Sequence, residues 1–170
     1  VEIADGVIAR RFSAIDPVEA ITDLLHLAYA EHAARGLRFL AAHQSSRVTA
    51  QRIRRGECWV AHAHETLVAT VVLYGPKSTS GSPWYDRPDV ASFGQFAVHP
   101  AWRGRGIGDG LLQLIEKRAR DFGAAHLALD TAEPALDLRA YYERRGYRLI
   151  EGAQWDCVNY ASVILSKPLD

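Results

Sequence analysis

The sequence predicts an α/β domain built on a mixed, twisted sheet of about six or seven strands with helices on both faces. Three observations lead there. Short runs rich in β-branched and aromatic residues alternate with longer segments whose apolar residues recur at helical spacing. Two neighbouring runs, Cys58–Ala63 and Leu67–Tyr74, are separated only by His64-Glu65-Thr66, as in an antiparallel hairpin. Further along, Ser92–Val98, a helical segment and His126–Asp130 follow one another as a βαβ unit, which makes its two strands parallel. The 170 residues and 48% hydrophobic content suit a single domain, 1–170, with a substantial core.

In chain order, Val7 to Phe12 alternates as a strand and Asp16-Pro17 opens a helix. Ile21, Leu24, Leu25, Ala28 and Tyr29 give that helix one apolar face up to about Ala33, and Gly36 breaks it. Leu37–Gln44 has no clear period, while Arg47–Arg54 reads as a more polar helix ending at Gly56. In the hairpin, His62 and His64 share a face at a spacing a metal could use, but no third ligand stands near, so no metal site is assigned. Gly75–Val90 turns to Pro, Lys, Ser, Thr and Gly around Trp84 and Tyr85. This is a long loop rather than a linker, because the strand after it must pair with the hairpin before it. Its two aromatics read either as a pocket wall or as a cap on the core.

Pro100 stops the Ser92–Val98 strand, and Ile107–Phe122 is an uninterrupted helix former closed by Gly123. Leu111, Leu112, Ile115, Ala119 and Phe122 make its buried stripe, with Glu116, Lys117, Arg118, Arg120 and Asp121 outside. After the His126–Asp130 strand, Thr131–Pro134 leads into a last helix over Ala135–Arg145, capped by Gly146. Tyr147–Ile150 and Tyr160–Leu165 complete the sheet.

The chemistry concentrates in Arg103-Gly104-Arg105-Gly106-Ile107-Gly108, between a strand and a helix. Glycines at alternate positions let successive amide N–H groups converge, and the helix that follows adds the positive end of its dipole. That is an anion cradle suited to a phosphate, and Arg103 and Arg105 can hold phosphate oxygens in bidentate fashion. A plain turn with two solvated arginines is the structural alternative. No Gly-Lys-Ser/Thr ending makes this a P-loop, and the dinucleotide fingerprint fails because its third glycine falls on Asp109 or Leu111.

What does fit is Arg/Gln-x-x-Gly-x-Gly/Ala after a Val-x-Pro strand end, met by Val98, Pro100, Arg103, Gly106 and Gly108. Together with Tyr142, Glu143, Gly146 and Tyr147, which match Tyr-Glu-x-x-Gly-Phe/Tyr, it resembles the GNAT superfamily of acetyl-CoA-dependent N-acetyltransferases. The resemblance runs from about Val7 to Leu165. It implies that Arg103, Gly104, Arg105, Gly106, Ile107, Gly108 and Asp109 hold the coenzyme A pyrophosphate. It also implies that Phe96, Ala97 and Val98 pair with the pantetheine arm and that Tyr142 protonates the leaving thiolate. Tyr29, Trp84, Tyr85 and Gln95 are the candidate acceptor-binding residues, with His32, Phe39 and His43 either beside them or in core and surface roles.

Many members carry an asparagine seven positions before the tyrosine, where this chain has Ala135, so Thr131 or Asp137 would have to replace that contact. No general base is evident on the central strand, since Ser92 and Gln95 are poor bases near neutral pH. Glu133, an early histidine or a water chain are the candidates. The expected reaction is transfer of acetyl from acetyl-CoA to a primary amine of a small molecule by direct attack. Peptide or protein acetylation and a non-catalytic acyl-CoA sensor are the alternatives.

Composition excludes little but points one way. Twenty basic and twenty acidic residues cancel, giving no support to nucleic-acid or membrane-surface partners. Cys58 and Cys157 form no Cys-x-x-Cys motif, which argues against a zinc or redox site and suits a reducing compartment, with a single disulfide between them as the alternative. With no apolar signal core near the N-terminus and no membrane-length apolar run, the expected location is cytoplasmic. The lack of any methionine suggests a removed or unseen initiator, and the resemblance, to a family whose members are often dimeric, raises the prior for a homodimer only modestly.

Overall fold

In the computed structural model, which describes residues 1–170, the strand-forming runs join one sheet. They are β1 (Glu2–Ala4), β2 (Val7–Arg11), β3 (Glu57–Ala63), β4 (Thr66–Tyr74), β5 (Val90–Val98), β6 (His126–Ala132), β7 (Arg148–Ala153) and β8 (Ser162–Pro168). Their order is β1-β2-β3-β4-β5-β6-β8-β7, with β5 and β6 parallel and every other neighbouring pair antiparallel. The eighth strand, beyond the expected range, is β1. Three residues are too few to show a period, and this strand exists through its pairing with β2.

Four helices cover the sheet: α1 (Val18–Ala34), α2 (Ser46–Arg54), α3 (Ile107–Asp121) and α4 (Leu136–Glu143). On one face Ile21, Leu24 and Leu25 of α1 and Ile53 of α2 pack on Cys58, Val60 and Val72. On the other, Ile107, Leu111 and Ile115 of α3 and Tyr142 of α4 pack on Ala61, Val71, Leu73, Phe93 and Leu129. Each such side chain contributes about 1.5–3 kcal/mol through burial, so these two layers hold the sheet in place.

Two residues on α3 depart from the periodicity. Glu116, expected outside, is buried because the Tyr147 hydroxyl (3.1 Å) and the Lys167 ammonium (3.0 Å) both donate to it. Phe122, expected in the stripe, falls at the helix end and is exposed, with the Arg118 guanidinium 5.2 Å from its ring centre. Gly110 has a use the pattern did not suggest: a Cβ there would lie 2.1 Å from the Ile3 carbonyl oxygen, so only glycine lets β1 rest on the helix.

The long loop before β5 folds onto the sheet, with Tyr85 buried among Val90, Ala128 and Ile164. No helix is long and apolar enough to cross a membrane, and no three His, Cys, Asp or Glu side chains gather as a metal site.

Candidate active site

The site begins with a fault in the sheet. Opposite Val71, strand β5 carries an extra residue: Val72 faces Gly94 while Thr70 already faces Ala97. Gln95 takes a left-handed backbone, φ 49°, to make this bulge. The parallel ladder between β5 and β6 covers only Val90–Ser92 against His126–Ala128. Beyond it, β6 stays with β8 as far as Ala132 while β5 stays with β4 as far as Val98, so the two strands part. Two cavities meet at this opening, one of about 590 Å³ and one of about 290 Å³, and Tyr29, Phe96, Leu138 and Tyr142 line both.

The larger cavity is a groove that ends on the glycine turn. Gly104 and Gly106 have φ of 76° and 78°, a region that disfavours any Cβ. A Cβ on Gly108 would sit 2.6 Å from the Tyr141 hydroxyl. No backbone hydrogen bond uses the N–H groups of Gly104 through Asp109, which leaves them free for an anion at the start of α3. Phe96, Ala97, Val98, Arg103, Gly104, Gly106, Ile107, Gly108 and Asp109 all line the groove.

Arg105 does not: its guanidinium lies 4.4 Å over the Trp102 ring, outside the lining. Arg103 is tied to α1, donating to the Glu31 carboxylate and the Ala28 carbonyl, each at 2.9 Å. Cations that the motif did not include complete the wall, namely Arg35, Arg144 and Arg145, the last bonded to Asp109. At the family's asparagine position Ala135 is buried. Asp137 lines the groove and Thr131 lines the smaller cavity.

Tyr142 stands where the cavities join. Its ring packs among Phe93, Tyr141 and Tyr147, with centroids 6.0, 5.1 and 5.9 Å away, while its hydroxyl makes no hydrogen bond to the protein. It is thus a core tyrosine whose polar end was left free. Burial pushes the phenol well above its ordinary pKa, so it keeps its proton.

The smaller cavity draws on distant parts of the chain. Tyr29 donates to the Phe96 carbonyl at 2.8 Å, and burial raises its pKa to about 12. The Tyr85 hydroxyl donates to Asp130 Oδ1 at 2.8 Å. Asp130, two residues before the end of β6, lines this cavity with its side chain exposed to it. Burial raises its pKa, against the opposing pull of the Tyr85 hydrogen bond and the Arg52 charge.

Behind the bulge, Gln44 accepts from Arg52 Nη1 at 2.8 Å and donates to Gln95 Oε1 at 2.6 Å. Gln95 and Tyr85 are therefore lining residues. Trp84 is not: it packs edge-on against His126 with the Arg87 guanidinium 4.4 Å over its ring, away from both cavities.

Of the other candidates, His32 lines the groove and Phe39 the smaller cavity, while His43 and Glu133 are exposed and line neither. Arg52 and Asp130 were missed in the sequence. Asp130 had one signal, a lone carboxylate at the C-terminal end of a strand parallel to the one before the cradle, where α/β sheets open toward ligands. Arg52 had none.

The family model described as "Acetyltransferase (GNAT) family" matches residues 19–147. Among solved structures, a GNAT family acetyltransferase from Elizabethkingia anophelis with acetyl-CoA bound is 19% identical, covering 97% of this chain and 99% of that one at a TM-score of 0.69. The IAA acetyltransferase from Bacillus cereus is 22% identical over 96% and 99%, at 0.64. The ribosomal-protein-S18-alanine N-acetyltransferase from Escherichia coli is 17% identical over 96% and 94%, at 0.70. At these identities the likeness is one of fold. No curated protein matches the chain by sequence.

Proposed function

The chain belongs to the GNAT family of acetyltransferases, and from that premise we propose that it moves the acetyl group of acetyl-CoA directly onto a primary amine of a small molecule. The observation that carries this reading is the meeting of the groove and the smaller cavity at Tyr142. The groove suits the coenzyme because its N–H groups from Gly104 to Asp109 have no backbone partner and would receive the pyrophosphate, while Phe96, Ala97 and Val98 would lie along the pantetheine. When bound, acetyl-CoA supplies an acyl group activated as a thioester.

Tyr142 holds a proton where the thiolate leaves, and the parted strand end offers a backbone N–H to polarise the carbonyl. The Elizabethkingia neighbour, with acetyl-CoA bound, supports the choice of donor. The Escherichia coli neighbour acts on a ribosomal protein by its name, but the volume here favours a small acceptor. Trp155, Cys157 and Tyr160 line about 290 Å³ together with Tyr85, a space suited to one small molecule rather than to a peptide's length.

Calorimetric titration with acetyl-CoA, beside thiol release with a panel of amines, tests the proposal. We expect micromolar binding, weakened at least tenfold in Gly106→Ala, and amine-dependent thiol release. Absence of acetyl-CoA binding to the folded wild type overturns it.

A further inference from the structure

Resting on the acetyltransferase reading above, we infer that the acceptor is a small amino acid with an apolar body, its carboxylate held by Arg52 and its amino group presented to Asp130, which takes the amine's proton. Arg52 and Asp130 line one cavity of about 290 Å³ yet do not pair with each other. Opposite charges that face the same cavity without meeting are the complement of a zwitterion.

Their placement is built. Arg52 reaches from α2 with Nη1 anchored on Gln44, and its Nη2 passes Gly94 where a Cβ would stand only 3.0 Å away, so the bulge glycine makes room for it. Its fork keeps further donors for a carboxylate. Asp130 accepts from the Tyr85 hydroxyl at 2.8 Å and has the Trp155 indole beside it, both favouring its charged form. Two polar atoms of lining residues lack partners: Gln95 Nε2 and Thr131 Oγ1. Buried polar atoms are rarely left so, and a small rotation of either side chain toward the cavity would let a polar ligand pair it. Most of the remaining lining is apolar, including Phe39, Phe93 and Leu129, which suits an aliphatic or aromatic body.

An ammonium acceptor gives one proton to the Asp130 carboxylate, and the freed lone pair forms the C–N bond as the C–S bond breaks. Tyr142 gives its proton to the leaving sulfur and regains one from the nitrogen, leaving an amide, the free thiol and one proton that Asp130 releases. The groups facing Asp130 are Arg52 from α2, Tyr29 from α1, Tyr85 from the loop before β5, with Glu151 of β7 behind it, and Cys157 and Tyr160 from the segment before β8. Burial holds Asp130 above an ordinary aspartate, in the direction a base for an amine needs.

The test measures thiol release from acetyl-CoA with common L-amino acids, each beside its decarboxylated amine, such as L-leucine with 3-methylbutylamine and L-phenylalanine with 2-phenylethylamine. At least one apolar amino acid should exceed its amine by tenfold or more in kcat/KM. Arg52→Gln should collapse that preference by tenfold or more, chiefly through KM, and Arg52→Lys should restore part of it. Asp130→Asn should lower kcat about a hundredfold and remove the acid limb of the pH profile. Independently of turnover, the preferred amino acid should raise the melting temperature of the coenzyme-free wild type and not that of Arg52→Gln. If every amine outruns its amino acid while turnover still requires Tyr142, this inference falls and the acetyltransferase reading stands. No thiol release with any partner overturns both.

Discussion

Replacing Tyr142 with phenylalanine separates a packing role from a chemical one. The ring sits among Phe93, Tyr141 and Tyr147 at 6.0, 5.1 and 5.9 Å, and phenylalanine keeps all three contacts. The hydroxyl bonds to no protein group, so its loss orphans nothing and the change in stability should stay within about 0.5 kcal/mol. If the phenol delivers a proton to the leaving sulfur, its removal should slow that step by about 10²–10⁴-fold. That loss corresponds to ~3–5 kcal/mol of barrier.

Three measurements carry the test: single-turnover thiol release, acetyl-CoA affinity by calorimetry and the melting temperature. We expect a large loss in the first and little change in the others. Because burial holds the Tyr142 phenol well above its usual range, it stays protonated across ordinary pH and should add no alkaline limb there. A single-turnover rate within about threefold of wild type would falsify the assignment, since a general acid is worth far more than that.

Two further perturbations test the scaffold. Glu57 is buried, and two Arg118 nitrogens and the Trp59 indole donate to it at 2.9 Å, with Arg11 at 3.0 Å. Arg118 is 30% exposed and can be partly re-solvated, so Glu57→Ala should cost about 2 kcal/mol. In thermal unfolding that is roughly 4–8 °C in Tm for a chain of this size. Arg118 holds the Glu57 carboxyl below its ordinary pKa, so its contribution is fully present above the unfolded value and is lost as pH falls through the folded one. The gap between wild type and variant should therefore close in acid, and a gap that widens would contradict the ion pair. Gly110→Ala would gain about 1 kcal/mol of helix propensity but place a Cβ 2.1 Å from the Ile3 carbonyl oxygen. Hydrogen exchange at residues 2–4 should accelerate while the central strands stay protected, and unchanged exchange would show that β1 does not rest on this glycine.

The sequence by itself determined what is local. The helix stripes, the hairpin and the βαβ unit follow from periods of two and 3.6 residues, and the cradle follows because glycines at 104, 106 and 108 lie within one turn of chain. Tyr142 was legible for the same reason, as part of a short signature at the end of α4. Periodicity misplaced Glu116 and Phe122 because their environments come from Tyr147, Lys167 and the helix end rather than from the helix's own pattern. Arg105 is likewise turned aside by the Trp102 ring, which a spacing cannot reveal, while Trp84 takes the core-capping one of its two readings.

Only the tertiary structure decided the smaller cavity. Its walls come from positions as far apart as Tyr29, Arg52, Tyr85, Gln95, Asp130 and Trp155, and they converge because one extra residue in β5 parts it from β6. A bulge leaves almost no mark in composition, and a carboxylate acquires its unusual environment from what is folded around it, not from its neighbours along the chain.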